Sequence, residues 1–77
     1  MKKTIHSREY DALISWLTAA RNRKGMSQRA LAKKLGVPPS FVAKTELRER
    51  RLDVVEFVRI CKALRVDPSD GIRKLGK

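Results

Sequence analysis

Two short segments of helical periodicity, separated by a break of a few residues, constrain the fold of this chain more than any other feature. The first segment follows Ser27, a typical N-cap, and ends at Gly36, which readily adopts the left-handed conformation that turns a chain. Pro39 suits the first position of the next helix, where its missing N–H needs no partner. The spacing therefore predicts a helix, a tight turn and a second helix over residues 27–46. The apolar residues of the first segment share one face: Leu31, Ala32 and Leu35.

The rest of the chain predicts three further helices. One runs from about Ser7 to Lys24 and ends at a glycine. Another begins after Asp53, whose spacing to the glutamate three residues later fits a capping box. A short last helix begins with the dipeptide formed by Asp67 and Pro68. We therefore expect an all-α fold of five helices in a single domain that covers all 77 residues.

The charge of the chain indicates a polyanionic partner. Nineteen lysines and arginines stand against eight acidic residues, which gives a net charge of +11. A solvated surface does not need so large an excess of one sign, so the candidates are DNA, RNA or an anionic membrane. No apolar run is long enough for a membrane span, and the apolar stripes of the helices are too narrow for a membrane-surface role. We expect no membrane partner.

Other functional classes find little support in the sequence. His6 has no neighbouring ligands, so we expect no metal and no cofactor. No phosphate-binding glycine loop or nucleophile motif is present, so we expect no enzymatic activity. Cys61 is the sole cysteine and shares an apolar helical stripe, which favours a core position in a protein of the reducing cytoplasm.

Several short motifs, in order and at fixed spacing, carry a family resemblance. They are Arg21-x-x-x-Gly25-Met26-Ser27-Gln28-x-x-Leu31-Ala32-x-x-Leu35-Gly36-Val37, Ser40-x-Val42-x-Lys44-x-Glu46, Arg50-Arg51-Leu52-Asp53 and Ala63-Leu64-x-Val66-Asp67-Pro68. Together they resemble the Cro/cI-repressor-like (XRE) family of helix-turn-helix DNA-binding domains. The resemblance implies a compact, lambda-repressor-like domain of five helices whose third helix enters the major groove.

The resemblance also implies residue roles at the matching positions. Base-reading positions at the start and outer face of the third helix are Pro39, Ser40, Phe41 and Lys44. Lys44 fits guanine O6 or N7, and equally a phosphate; Ser40 fits several base edges; Phe41 or Pro39 fits a thymine methyl. The expected phosphate-binding residues are Gln28, Arg23, Lys24, Arg29, Arg50 and Arg51, although any single basic residue among them is equally compatible with a solvated surface charge. Arg21 and Glu46 match a family pair that we interpret as a structural ion pair between the first and third helices.

Two positions depart from the family pattern. Arg48 stands where the family usually has glycine, and a left-handed arginine costs about 1 kcal/mol or more. The loop tolerates that strain, or the third helix runs on, or the domain opens into a swapped oligomer. On this basis Arg48→Gly is expected to raise the melting temperature. Thr45 occupies a slot that often holds a large apolar residue.

The leading functional hypothesis is a cytoplasmic transcription regulator, with repression as the expected mode, that binds a palindromic double-stranded DNA site as a homodimer. The dimer contact would come from C-terminal apolar residues or from exposed aromatic residues of the first helix: Val66, Ile72 and Leu75, or Tyr10 and Trp16. One alternative is the antitoxin of a toxin–antitoxin pair, with a toxin as protein partner, that represses its own operon. The other is a nonspecific nucleic-acid-binding protein, which the scarcity of aromatic residues disfavours for single strands.

Overall fold

The structure, a computed structural model, describes residues 7–76, and within them it contains five α-helices and no strand. Met1 to His6 lie outside the described residues, and the expectation for His6 falls there. The all-α prediction is confirmed. The helices are α1 (Arg8–Arg23), α2 (Gln28–Leu35), α3 (Pro39–Glu46), α4 (Val54–Leu64) and α5 (Pro68–Arg73), followed by a 3₁₀ turn (Lys74–Gly76).

Local side-chain caps set most of the helix starts. Ser27 Oγ accepts a hydrogen bond from the backbone N–H of Ala30 at 3.0 Å and thereby begins α2. Gly36 ends α2 in the left-handed conformation with φ 73°. α3 begins without a side-chain cap bond, because its N-cap residue, Pro38, has no side-chain acceptor, and Pro39 follows at the first helical position, where its missing N–H needs no partner. Asp53 and Glu56 form the predicted capping box of α4.

The core lies where α1, α2, α3 and α4 meet. α2 packs most extensively against α3, which fixes the relative placement of the two helices of the motif. Cys61 is fully buried, as predicted. Thr45 is also buried, and its hydroxyl donates to the backbone carbonyl of Phe41 at 2.7 Å, so the polar group in this slot is satisfied within its own helix. The largest fully buried side chains are Ile14, Leu64 and Cys61.

The aromatic residues of α1 are not the exposed surface that the sequence suggested. Tyr10 is half-buried, and its hydroxyl accepts a hydrogen bond from the Leu52 N–H at 3.0 Å. Trp16 is also half-buried and packs against Gly71 of α5. Tyr10 holds the loop before α4 on α1, and Trp16 holds the C-terminal helix there, so neither ring is as exposed as the sequence suggested.

Arg48 adopts the left-handed conformation with φ 62°, and α3 still ends at Glu46. Of the outcomes considered for this position, the structure therefore has the first, a loop that tolerates the strain. The guanidinium of Arg48 crosses to α1, where Nε donates to Asp11 Oδ1 at 2.6 Å and Nη2 donates to Ser15 Oγ at 2.9 Å. Arg65, which ends α4, is a second left-handed arginine with φ 59°.

Candidate nucleic-acid interface

The first turn and outer side of α3 present three exposed side chains. Pro39 and Ser40 lie at the start of the helix, and Lys44 lies one turn beyond Ser40, so the last two share a face. All three are exposed, whereas Val42 and Thr45 of the same helix are buried. α3 therefore has a buried side that faces the core and a polar side that is open to a large ligand.

Phe41 does not join this exposed group. It is half-buried, packs against the core and lines a cleft of about 80 Å³ between α3 and α4. The guanidinium carbon of Arg50 lies 4.1 Å from the centre of its ring, which is cation–π geometry. Of the four residues expected to read bases, the structure thus places three on the open side of α3 and the fourth under an arginine.

Arg50, expected to bind phosphate, is also paired with a carboxylate. Its Nη1 and Nη2 donate to Glu56 Oε1 and Oε2 at 3.2 and 3.1 Å. Glu56 accepts a further hydrogen bond from the backbone N–H of Asp53 at 3.0 Å. The Arg50 contact, followed by the Asp53 bond, lowers the pKa of Glu56 below its ordinary value of 4.5.

A nearly buried polar network joins α1, α2 and α3. The Arg21 guanidinium donates through Nε to Glu46 Oε2 at 2.7 Å and through Nη2 to Oε1 at 2.9 Å. The Gln28 amide donates to the same Oε1 at 2.8 Å. Arg21 also donates to the Met26 carbonyl at 2.8 Å. The side chains of Arg21 and Glu46 are only 10% and 14% exposed, so the network fixes the end of α3 against the other two helices.

The remaining residues expected to bind phosphate lie free on the surface. Arg23 and Lys24 end α1, Arg29 lies in the first turn of α2, and Arg51 lies in the loop before α4. All four are exposed, and none forms an ion pair within residues 7–76. They differ in this respect from Arg50, whose charge faces Glu56. Gln28 is half-buried and bound to Glu46.

Sequence reasoning did not single out Glu56 or Asp11 as partners of the loop arginines. Glu56 was assigned only to the capping box, and its second role depends on how the loop folds back onto α4. Asp11 and Arg48 are 37 positions apart, and no periodic pattern connects them. One indication was available from the sequence, its composition. The chain has only eight acidic residues against nineteen lysines and arginines, so each carboxylate could have been expected to pair with a basic side chain.

The described part of the chain gives little support to other kinds of site. Residues 7–76 contain no group of three or more histidine, cysteine or acidic side chains placed to hold a metal ion. Every helix in that range is too short or too polar to cross a bilayer. The cleft beside Phe41 holds only about 80 Å³, and the larger hollows, of about 390 to 480 Å³, are open surface grooves and not enclosed pockets.

Comparison with known proteins supports the interpretation of the motif. A family model described as helix-turn-helix matches residues 17–70. A solved structure of an XRE-family like protein from Pseudomonas syringae pv. tomato str. DC3000 is 48% identical to the chain, with a TM-score of 0.87; the match covers 95% of this chain and 89% of that one. A search of the curated proteins finds no match. The matched segment extends from the middle of α1 into α5 and includes the whole motif. With these matches, and with α2 and α3 arranged as described, the chain belongs to the XRE family of helix-turn-helix DNA-binding transcription regulators.

Proposed function

We propose that the protein binds specific double-stranded DNA sequences through α3 and acts as a repressor by occupying its site as a homodimer. The observation that carries the proposal is the exposed side of α3 formed by Pro39, Ser40 and Lys44, on a helix that the Arg21–Glu46 network holds in place. Recognition of base edges needs accessible side chains on an element that is fixed in position. The side chains of this side of α3 are accessible, and the network fixes the helix that carries them.

The chemistry of the three side chains fits the major groove. The Ser40 hydroxyl both donates and accepts, so it suits several base edges. Lys44 is a donor that suits guanine O6 and N7, and the Pro39 ring suits a thymine methyl. An α-helix with its side chains is about 10 to 12 Å in diameter, which matches the roughly 12 Å width of the major groove that α3 would enter.

Phosphate binding is assigned to the exposed basic residues on the flanks of the motif: Arg23, Lys24, Arg29 and Arg51. Their charges are not used in ion pairs within the described residues, so they are available to displace counterions from DNA. Gln28 is expected to donate to a phosphate through its backbone N–H at the first turn of α2 or through its second side-chain amide N–H, because the first amide N–H is directed to Glu46. These contacts set affinity and salt dependence, and leave base choice to α3.

Homodimer formation is proposed because two copies of one recognition helix read two half-sites about one helical turn apart. Binding to such a site excludes other DNA-binding proteins from it, which is the simplest mechanism of repression. If the protein binds as a homodimer, its preferred site should be a palindrome. This prediction can be tested without knowledge of the regulated gene.

The test is selection of bound duplexes from a random pool with the full chain, followed by salt titration on the selected duplex. We expect a palindromic consensus. Lys44→Ala should change the base preference at one position of each half-site, whereas the matched variant Arg51→Ala should weaken binding to all duplexes alike and reduce the salt slope by about 1. Equal binding to every duplex by the unmodified chain would exclude sequence-specific recognition, and a consensus without symmetry would exclude the dimer.

A further inference from the structure

Arg50 has a guanidinium that is held on one face and one edge. Its face lies over the ring of Phe41, in the first turn of α3, and its edge is bound by both carboxylate oxygens of Glu56, in the first turn of α4. Glu56 is itself fixed by the backbone N–H of Asp53. The plane of the guanidinium is therefore set by two helices at once. The Nε–H of Arg50 and the outer N–H groups of Nη1 and Nη2 make no hydrogen bond within residues 7–76, so they are available to a ligand.

We propose that Glu56 and Phe41 are positioning residues for DNA binding, which hold Arg50 so that its remaining N–H groups donate to a DNA phosphate beside the bases that α3 reads. This inference rests on the proposed function and deepens it. Phe41 then contributes to recognition by supporting Arg50 and does not itself contact a thymine methyl.

The placement of Arg50 beside α3 favours this role. Its backbone N–H donates to the Lys44 carbonyl at 3.3 Å, so the residue is tied to the recognition helix by its main chain as well as by its side chain. Its side chain is 32% exposed, which leaves an edge accessible to a ligand. A free arginine loses much rotamer freedom when it binds phosphate, and one that is already stacked and paired loses less.

The opposite expectation follows if Glu56 has no positioning role. A carboxylate near DNA repels phosphate, and this one also neutralises an arginine, so its removal alone should strengthen binding. The sign of the effect of Glu56→Gln on DNA affinity therefore separates the two accounts. Glutamine keeps the capping box of α4, because its side chain can still accept from the backbone of Asp53.

The experiment measures binding of the full chain to a labelled pool of random-sequence duplexes, and to the selected duplex, as a function of salt. We expect Glu56→Gln to weaken binding by about tenfold, which corresponds to the loss of one charge-assisted contact. The matched control is Glu49→Gln, an exposed glutamate of the same loop with no ion pair within residues 7–76, and it should strengthen binding. If Glu56→Gln strengthens binding as Glu49→Gln does, the proposal is wrong.

A double-variant cycle separates positioning from general damage to the fold. In an Arg50→Ala background no guanidinium is left to position, so Glu56→Gln should then strengthen binding, with its sign reversed. A weakening of the same size in both backgrounds would overturn the proposal. Should Glu56→Gln fail to fold, Arg50→Lys carries the test: it keeps the charge but loses the paired, stacked geometry, and we expect about tenfold weaker binding. Unchanged affinity would again overturn the proposal.

The outcomes also distinguish this inference from the proposed function. If the unmodified chain binds no duplex, DNA binding itself is refuted. If it selects a palindrome and Lys44→Ala shifts base preference, but Glu56→Gln strengthens binding, sequence-specific recognition stands and only the role of Glu56 and Phe41 is refuted.

Discussion

The Arg48 Nε donates to Asp11 Oδ1 at 2.6 Å, and this bond holds the loop that follows α3 against α1. The same guanidinium donates through Nη2 to the Asp11 carbonyl at 3.1 Å and to Ser15 Oγ, and through Nη1 to the Glu46 carbonyl at 2.6 Å. A residue in a strained left-handed conformation thus carries a side chain that makes four hydrogen bonds. The structure offsets backbone strain with contacts to a second helix.

These contacts reverse the expectation that Arg48→Gly raises stability. Glycine removes a strain of about 1 kcal/mol, but it also increases the conformational entropy of the unfolded chain by a similar amount. What remains is the loss of the side-chain hydrogen bonds, each of which contributes about 0.5 to 1.5 kcal/mol. Because Asp11 and Ser15 are exposed, these four bonds fall at the low end of that range, and we expect Arg48→Gly to lower the free energy of unfolding by about 2 kcal/mol, measured by urea denaturation.

Arg65 provides the matched control for this prediction. Its φ of 59° is close to the 62° of Arg48, but its side chain is exposed and makes no hydrogen bond within residues 7–76. Arg65→Gly should therefore leave stability unchanged or raise it by a few tenths of a kcal/mol. If both glycine variants shifted the urea midpoint by the same amount, the contacts of Arg48 with α1 would contribute nothing.

Gly71 is expected to resist substitution by alanine although it lies within a helix. A Cβ at this position would lie 2.7 Å from two ring atoms of Trp16, which is closer than real Cβ contacts. Alanine favours the helix by about 1 kcal/mol, whereas overpacking costs about 1 to 3 kcal/mol. We expect Gly71→Ala to lower the free energy of unfolding by about 1 kcal/mol. In a Trp16→Ala background the same change should stabilise, and a loss there would show that the ring is not the cause.

The helices were predictable from sequence because their signals are local. Ser27, Gly36 and Asp53 act through bonds to residues within one turn, so their effect does not depend on the rest of the fold. The packing of Trp16 on Gly71 is different, because those residues meet only after α5 has folded back onto α1. From the sequence, Gly71 could be recognised only as a residue that weakens a helix. The reason for a glycine at this position, the close approach of Trp16, appears only in the structure.

The candidate site divides in the same way. The exposure of Ser40 and Lys44 follows from the helical period once α3 is assigned. The half-burial of Phe41 depends on α4 and on Arg50, which reach it from outside its own helix. Periodicity alone does not contain that information, so the sequence grouped Phe41 with the exposed residues.

The Arg21–Glu46 pair is expected to be the most sensitive polar contact of the fold. Glu46→Ala would leave the Arg21 guanidinium, whose side chain is 10% exposed, without its carboxylate. Breaking a buried pair in this way costs about 3 to 5 kcal/mol. Gln28→Ala removes one hydrogen bond and leaves the pair intact, so it should cost only about 1 kcal/mol. Equal losses in urea denaturation would show that the pair is no stronger than an ordinary surface contact.

Cys61 should act as a reporter of global unfolding. Its side chain is fully buried, and this burial, with a smaller contribution from the charge of Asp67, raises the pKa of the thiol from 9.0 to about 11. A thiol reagent at pH 8 should therefore react only as fast as the chain opens, and urea should accelerate the reaction.

The raised pKa also predicts an alkaline loss of stability. The thiol in the unfolded chain ionises near pH 9 while the folded thiol stays protonated up to about 11, so the folded state binds more protons in this interval. The stabilising contribution of Cys61 is thus complete below pH 9 and decreases as the pH rises through about 11. Urea denaturation between these limits should show a steeper decline for the unmodified chain than for Cys61→Ala, because the other titrating groups are common to both. Parallel declines would mean that the thiol ionises equally readily in the folded and unfolded states.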